Sequence, residues 1–181
     1  MREPVTICWA RGGRGDTERL LPAAAAAWPG ARGASLRIER TEQGKPFFPE
    51  QPALHCSVTH SGGFWLCALS ACPLGLDLER ERPVDAVKLA RRFFLPEEAA
   101  YLEERPEDFF LVWTAKESLV KYTGTGLAGH FTDRSVIKDG ALAGECGGLF
   151  LRRPPFAPGF ALCLCTETEP EITFLALPDD E

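Results

Sequence analysis

Apolar and polar residues alternate along several short stretches of this chain, a pattern typical of half-buried β-strands. The most regular stretch covers residues 74–79, where three leucines occupy one face and Gly75, Asp77 and Glu79 occupy the other. Two carboxylates on one strand face lie about 6.6 Å apart and repel each other, so this face favours a bound cation. Similar patterns predict strands over residues 5–10, 36–41, 54–60, 64–70, 135–138, 141–143, 148–152, 160–166 and 172–177.

Helical periodicity occurs in two parts of the chain. The first helix is predicted to begin at Asp16 or Thr17, either of which can cap it, and to run to about Trp28. A longer helical region covers residues 84–122 and is divided into three helices by prolines, which favour the first turn of a helix. These prolines are Pro83, Pro96 and Pro106.

The last of these helices carries charged residues among apolar ones. Apolar residues lie on two of its sides, so we predict that most of the helix is buried. It nevertheless contains Lys116, Glu117 and Lys121. Charged side chains on a buried helix are costly unless they are paired or bind a ligand, which favours a functional site.

Composition limits the classes of protein to consider. The chain has 181 residues, of which 45% are apolar and 25% charged, as expected for a soluble protein of one domain or two small lobes. A formal net charge of −6 argues against duplex nucleic acid as a partner. No apolar stretch is long enough to span a bilayer and no targeting segment is recognisable, so we expect a cytoplasmic protein without a membrane partner.

The cysteines indicate reduced thiols rather than disulfides or zinc. Seven are present, an odd number, and most lie in apolar runs that are predicted to be strands. Those in such runs are Cys8, Cys56, Cys67, Cys72, Cys163 and Cys165. Cys163 and Cys165 share one strand face, but no second pair completes a four-ligand zinc set, and we do not expect zinc.

The charged residues of the strand 74–79 and of the last predicted helix suggest phosphate chemistry. Asp77, Glu79 and Glu117 supply the hard oxygen ligands that Mg²⁺ prefers, and protein-bound Mg²⁺ commonly binds substrate phosphates as well. Cationic or donor side chains that could neutralise a pyrophosphate are Lys45, His60, Lys116 and Lys121.

Each of these residues also has a purely structural interpretation. Glu117 and Lys121 are four residues apart and could form an ordinary helix ion pair. His60 could be a structural histidine, and Lys45 a solvated turn residue before Pro46. Taken singly, the structural interpretation is favoured; the combination and order of the residues favour a site.

That order resembles the 4'-phosphopantetheinyl transferases, in particular their surfactin-type, single-chain branch. The resemblance covers roughly residues 42–138. The pairing of the Gly-x-Asp-x-Glu strand with the Trp-x-x-Lys-Glu-Ser helix is its most specific part. The matching segments are Gly44-Lys45-Pro46, residues 57–62, 74–79, 92–98 and 113–118, Lys121, and residues 124–127.

The resemblance implies an activity and a set of site residues. It implies transfer of the phosphopantetheine arm of coenzyme A to a serine of an apo carrier protein, with release of adenosine 3',5'-bisphosphate. The implied metal is Mg²⁺, with Mn²⁺ as an alternative, and its implied ligands are Asp77, Glu79 and Glu117. The implied coenzyme contacts are Lys45, Thr59, His60 and Lys121.

It also implies catalytic roles. The implied catalytic residues are Glu117, Lys116 and Asp77, with Lys116 near the phosphates. Glu117, or a water held by the metal, would accept the proton of the attacking serine. Glu98 matches a family acid to which we assign no role.

The implied fold is α+β, a pseudo-dimer of two similar lobes with the active site at their junction. The lobes would cover residues 1–72 and 73–181, and a monomer is expected. His55-Cys56 replaces a Phe-Asn pair of many relatives, and the basic helix that grips the adenosine end in relatives is not found. The arginines that could replace it are Arg11, Arg14, Arg19, Arg32 and Arg37.

Two other functions remain as alternatives. A non-catalytic relative would bind a carrier protein or coenzyme A without turnover. A metal-dependent phosphohydrolase of another fold would leave the Lys-Glu-Ser helix and the Gly-Lys-Pro turn as coincidences. Fatty-acid, polyketide and peptide synthetase carriers are all compatible with the sequence as acceptors.

Overall fold

The computed structural model describes residues 2–28, 31, 35–124 and 134–178, which form two four-stranded sheets with helices packed against them. The mixed α/β class agrees with the sequence prediction. The first sheet has the strand order β12-β1-β5-β4 and the second β6-β11-β10-β9. The strands of these sheets are β1 (Glu3–Arg11), β4 (His55–Ser61), β5 (Phe64–Ser70), β6 (Leu74–Arg80), β9 (Glu145–Cys146), β10 (Leu149–Arg152), β11 (Phe160–Thr166) and β12 (Pro170–Ala176).

Two short ladders and four α-helices complete the architecture of the described residues. The ladders pair β2 (Glu39–Arg40) with β3 (Pro46–Phe47), and β7 (Ile137–Lys138) with β8 (Ala141–Leu142). The helices are α1 (Thr17–Ala26), α2 (Ala86–Phe93), α3 (Pro96–Glu104) and α4 (Phe109–Thr123). Short 3-10 turns at Arg14–Asp16 and Pro106–Asp108 lead into α1 and α4.

The helix predictions are confirmed with small shifts at the ends. The region 84–122 contains three α-helices as predicted, and Pro96 is the first residue of α3. α4 ends at Gly124, whose φ of 70° lies in the left-handed region that glycine adopts without strain. α1 ends at Ala26, two residues before the predicted end at Trp28.

The long predicted strands are confirmed, whereas several other strands are shorter than predicted. The hairpin of β4 and β5 is present, joined through Gly62 and Gly63. The predicted strand 36–41 is reduced to the two residues of β2, and β9 was not predicted. Six of the seven cysteines are buried free thiols, whereas Cys72 is only partly buried.

The last strand of the chain pairs with the first, across the predicted lobe boundary at residue 72. β12 pairs in parallel with β1, with Val5 opposite Ile172, so the last strand completes the first sheet. The two lobes, residues 1–72 and 73–181, stay a prediction, and β12 from the second range lies beside β1. This pairing satisfies backbone groups that β1 would otherwise leave unpaired at a sheet edge.

The leucine face of β6 explains its strict alternation. Leu74, Leu76 and Leu78 pack in one buried cluster with Ile7 and Leu66, which belong to the first sheet. The opposite face of β6 meets α4 at very short range. A Cβ at Gly75 would lie 2.0 Å from the carbonyl oxygen of Ser118, so only glycine permits this approach.

Two predicted features lie outside the described residues: Arg32 and the segment 125–127 of the matching motifs. Among the described residues, none of the helices combines the length and apolar character needed to cross a bilayer.

Candidate active site

A cavity of about 800 Å³ lies beside the seam between the two sheets. Its walls come from the first sheet, from β6, from the C-terminal half of α4 and from the turn that precedes β3. Eight of the residues that line it belong to the predicted site or its candidate arginines: Arg14, Lys45, Thr59, His60, Asp77, Glu79, Glu117 and Lys121. Arg40 also lines it.

The seam between the sheets is built from side-chain hydroxyls. The backbone amides of β6 donate to the hydroxyls of β4 at three alternate positions, with N···O distances of 2.9, 3.1 and 2.9 Å. The donor and acceptor pairs are Leu76 with Ser57, Leu78 with Thr59, and Arg80 with Ser61. This register fixes the side chains between these amides, which are the two carboxylates of β6.

Asp77 is the most enclosed of these carboxylates, with 5% of its surface exposed. Its Oδ1 accepts hydrogen bonds from Lys121 Nζ at 2.7 Å and from Thr59 Oγ1 at 3.2 Å. Burial raises the pKa of Asp77, and the charge of Lys121 opposes that rise. Its Oδ2 is buried and has no hydrogen-bond partner, which is unfavourable for a carboxylate unless a ligand binds there.

Glu79 lies nearer to solvent on the same face. Its Oε2 accepts a hydrogen bond from Ser61 Oγ at 3.3 Å and forms an ion pair with Arg82 at 3.2 Å. Arg82 is exposed, so this pair is weak and easily separated.

Glu117 faces these two carboxylates from α4. Burial raises its pKa to about 7, and the negative charges of Asp77 and Glu79 contribute to the rise. With a pKa of about 7, Glu117 is partly protonated near neutral pH in the metal-free protein. We call Asp77, Glu79 and Glu117 together the acidic site.

The acidic site has the chemistry of a divalent-cation site, although its side chains do not converge as ligands. Within residues 2–28, 31, 35–124 and 134–178, no three His, Cys, Asp or Glu side chains lie close enough together to hold a metal. Asp77 and Glu79 are instead paired separately with cationic side chains. The unpartnered Oδ2 of Asp77 and the raised pKa of Glu117 fit a bound cation, and the metal role of all three stays a prediction.

Lys116 is not part of the cavity wall. Its Nζ pairs with Glu98 at 3.0 Å and donates to the carbonyl oxygen of Arg134 at 2.9 Å. Only 2% of Lys116 and 0% of Glu98 is exposed, and Glu98 also accepts from the amides of Leu95 and Val136. The predicted position of Lys116 near the phosphates is therefore corrected: this pair joins α3, α4 and the segment at Val136.

Lys45 lines the cavity, but its ammonium group is directed at backbone carbonyls. Nζ donates to the carbonyl oxygen of Lys121 at 2.7 Å and to that of Leu74 at 3.2 Å. Burial lowers the pKa of Lys45. The side chain thus joins the turn before β3 to the C-terminal end of α4, and a direct contact with coenzyme stays a prediction.

Thr59 and His60 differ in how far they remain available for a ligand. The hydroxyl of Thr59 accepts from Leu78 and donates to Asp77, so its main capacity is used within the protein. His60 is exposed at the cavity, and partial burial together with the charges of Lys121 and Arg14 lowers its pKa.

Of the candidate arginines, the structure places only Arg14 at the cavity within the described part of the chain. Arg11 stacks over Phe64, and Arg19 and Arg37 form surface ion pairs with acidic side chains.

The prediction from sequence missed Arg40, which lines the cavity, as well as Ser57, Ser61 and Arg82. The alternating hydroxyls at positions 57, 59 and 61 were a signal that could have revealed the seam.

Comparisons with known proteins agree on one family. A sequence model of the 4'-phosphopantetheinyl transferase superfamily matches residues 73–165, which include β6, α4 and the acidic site. A 4'-phosphopantetheinyl transferase of Bacillus subtilis is 34% identical over 116 residues, covering 61% of this chain and 51% of that protein. The 4'-phosphopantetheinyl transferase Sfp of Bacillus subtilis is 29% identical over 143 residues, covering 73% and 63%.

A third relative is the 4'-phosphopantetheinyl transferase HetI of a Nostoc species, which is 35% identical over 126 residues, 64% of this chain and 52% of its own. The chain thus spans only about half to two thirds of the length of these relatives.

Proposed function

Because the chain belongs to the 4'-phosphopantetheinyl transferase superfamily, we propose that it transfers the 4'-phosphopantetheine arm of coenzyme A to a serine of an apo carrier protein. The observation that carries the proposal is the cavity that brings the acidic site together with Lys121, His60 and Arg14. Carboxylates that suit a divalent cation and cationic side chains that suit phosphates thus line one cavity. The products are the holo carrier and adenosine 3',5'-bisphosphate.

The diphosphate of coenzyme A would lie between the acidic site and the cations of the cavity. Asp77, Glu79 and Glu117 would hold Mg²⁺ or Mn²⁺, which when bound neutralises charge on the phosphoryl oxygens. Lys121 and His60 would donate hydrogen bonds to the phosphate oxygens from the opposite side. Placing these groups is the main contribution of a protein to phosphoryl transfer, since the chemistry depends on position and electrostatics.

Glu117 is the proposed acceptor of the serine proton. As the serine oxygen forms its bond to the β-phosphorus, the bond from that phosphorus to the bridging oxygen breaks and the bisphosphate leaves. Burial favours the protonated form of Glu117, which supports uptake of the hydroxyl proton by this carboxylate. The proposal gives Lys116 a supporting role through α4, since its ammonium group pairs with Glu98.

The adenosine end of the coenzyme is assigned to the other end of the cavity. Arg14 and Arg40 are the two guanidinium groups that line it, and Arg40 also pairs with Glu18 and donates to the carbonyl oxygen of Gly44. Guanidinium groups bind phosphate through paired hydrogen bonds, so these residues suit the 3'-phosphate.

The proposal includes the family architecture and setting. Two similar lobes with the active site at their junction are supported by the position of the cavity beside the seam. The proposed protein is a cytoplasmic monomer whose partners are coenzyme A and an acyl or peptidyl carrier.

The test is incubation with coenzyme A, Mg²⁺ and a panel of apo carriers from fatty-acid, polyketide and peptide synthetases. Mass spectrometry should show the mass gain of one phosphopantetheine arm on at least one carrier. Asp77→Asn keeps the shape of the side chain and should lower the rate by about 100-fold or more, because a charged ligand is lost. Glu171→Gln, on the exposed part of β12, is the matched control.

Two outcomes would count against the proposal. No mass gain on any carrier, with coenzyme A binding retained in calorimetry, would identify a non-catalytic relative instead. An Asp77→Asn protein with full activity would remove Asp77 from the metal role.

A further inference from the structure

Two acids of the acidic site are neutralised by cationic side chains in the free protein. Asp77 pairs with a partly buried lysine, and Glu79 pairs with an exposed arginine. The ion pair of Asp77 is the shortest of these contacts, with 2.7 Å between Lys121 Nζ and Oδ1. Lys121 therefore neutralises Asp77 through Oδ1, directly beside the unpartnered Oδ2 at which a cation fits.

Lys121 is placed where it can serve two anions in turn. Its ammonium group donates to Asp77 and, at 3.3 Å, to the carbonyl oxygen of Val58. The side chain is 29% exposed and lines the cavity, so one side of it faces the space proposed for the diphosphate. An ammonium group has three donors on a flexible stem and can change partners without moving the helix.

We propose that Lys121 is an exchangeable counter-ion: it neutralises Asp77 in the free protein and turns to the coenzyme diphosphate when a divalent cation binds at the acidic site. The identity of the two ligands rests on the proposed function. The role assigned to Lys121 goes beyond a phosphate contact, because it links the binding of metal and coenzyme.

Electrostatics gives the direction of this exchange. A divalent cation on Asp77 would place two like charges a few ångströms from the ammonium group, and their repulsion would favour its departure. The diphosphate supplies a new anionic partner in the same cavity. The pair of Lys116 and Glu98 is a useful contrast, since both side chains are almost fully buried and no cavity offers Lys116 another partner among the described residues.

The consequence is that Lys121 acts in opposite directions on the two ligands. Without coenzyme it competes with the metal for Asp77 and weakens metal binding. With metal bound it is free to hold the diphosphate and strengthens coenzyme binding. By linkage, each ligand then favours the binding of the other.

The experiment measures both effects in one variant, Lys121→Met, which keeps most of the stem and removes the charge. Mn²⁺ is titrated into the coenzyme-free protein at pH 8, and binding is followed by electron paramagnetic resonance. The Kd for Mn²⁺ should fall about tenfold, within the usual range of coupling between sites. The Kd of coenzyme A for the Mn²⁺-saturated protein should rise about tenfold, because a charge-assisted hydrogen bond is lost.

Two controls accompany the variant. Lys121→Arg keeps the charge and should leave the Kd for Mn²⁺ near that of the unmodified protein. Lys88→Met removes an equal charge from the exposed side of α2 and should change neither constant. Circular dichroism confirms folding, and Lys121→Gln, which can still donate to Val58, replaces the methionine variant if that chain does not fold.

Several results would overturn the exchange. An unchanged or weaker affinity for Mn²⁺ in folded Lys121→Met would do so, because a purely structural lysine predicts that both ligands bind less well. Failure of the unmodified protein to bind Mn²⁺ would also overturn it. Carrier modification with an unchanged Mn²⁺ affinity would reject the exchange alone, whereas tighter Mn²⁺ binding without carrier modification would reject the proposed function alone.

Discussion

At the scale of single residues, the acidic site lowers the stability of the folded protein, because the fold disfavours the ionised form of Glu117. Burial and two neighbouring carboxylates raise the pKa of Glu117 to about 7, from an ordinary value of 4.5. The folded state therefore favours the protonated form of Glu117. This contribution to stability is fully present below pH 4.5 and is lost as pH rises through about 7.

We predict that Glu117→Gln stabilises the metal-free protein at pH 8 while abolishing transfer. The neutral amide avoids the ionisation that the fold disfavours, so the free energy of unfolding should rise by about 1 to 3 kcal/mol, since one pKa unit corresponds to about 1.4 kcal/mol. Thermal unfolding in EDTA at pH 5 to 8 is the measurement. The gain should be several-fold smaller at pH 5 than at pH 8; a gain that does not depend on pH would show that ionisation is not its cause.

Residue types in the site were predictable from sequence, but the partners of their side chains were not. Asp77, Glu79 and Glu117 share the cavity as their spacing predicted. Lys116 is adjacent to Glu117 in sequence yet points to Glu98 in another helix, because successive helix residues differ in direction by about 100°. A buried acid eighteen residues away cannot be recognised as its partner without the fold.

At the scale of elements, the position of β6 against α4 decides whether the acidic site can form. We predict that Gly75→Ala lowers both stability and transfer. Its Cβ would lie 2.0 Å from Ser118 O and 2.5 Å from Tyr122 N, both of them backbone atoms that cannot turn aside. Overpacking costs about 1 to 3 kcal/mol or more, and a shift near 1 Å can reduce a rate by about 100-fold.

Thermal unfolding and the carrier assay measure the two effects. Gly15→Ala is the matched control, because no atom lies within 4 Å of the Cβ position there. Gly75→Ala with normal stability and rate would contradict the close packing of β6 on α4.

A second prediction at this scale concerns the C-terminal end of α4. Lys45→Met should lower the stability of the coenzyme-free protein by about 1 to 2 kcal/mol, because the carbonyl oxygens of Lys121 and Leu74 lose a charged donor. Lys138→Met, at an exposed position in β7, is the control for loss of charge. An unchanged melting temperature together with weaker coenzyme binding would show that Lys45 acts as a ligand contact.

Element types were largely predictable because each signal is local. Prolines began the helices near the predicted positions, and alternation located β4, β5, β6 and β11. The two-residue strands β2, β3, β7, β8 and β9 depend on pairing partners rather than on their own pattern, so their limits could not be predicted.

At the scale of the whole molecule, the C-terminal strand ties the end of the chain to its beginning. We predict that Ile172→Asp destabilises the protein by about 2 to 4 kcal/mol, since Ile172 packs against the cluster shared by both sheets and pairs in register with Val5. Thr173→Asp, on the exposed face of the same strand, should cost much less. Urea unfolding compares them, and equal losses would argue that β12 does not depend on this packing.

This return of β12 was not predictable, because strand pairing over more than 160 residues leaves no local signal. The boundary after residue 72 was predicted from the hairpin of β4 and β5 and from the alternating strand β6, both of which are local features. The boundary falls between β5 and β6, which lie in different sheets, whereas β12 returns to the first sheet.

The seam of hydroxyls has a direction. Three alternate peptide N–H groups of β6 each donate to a hydroxyl of β4, so one lone pair of that oxygen is used and its proton is turned outward. At Thr59 and Ser61 this proton is donated onward to Asp77 and Glu79. Each of these two hydroxyls therefore connects a backbone N–H to a carboxylate through two consecutive hydrogen bonds, and the first bond strengthens the second by polarisation. The facing edges of β4 and β6 have no direct backbone ladder. Their hydroxyl contacts instead orient O–H dipoles, with the positive end toward Asp77 and Glu79.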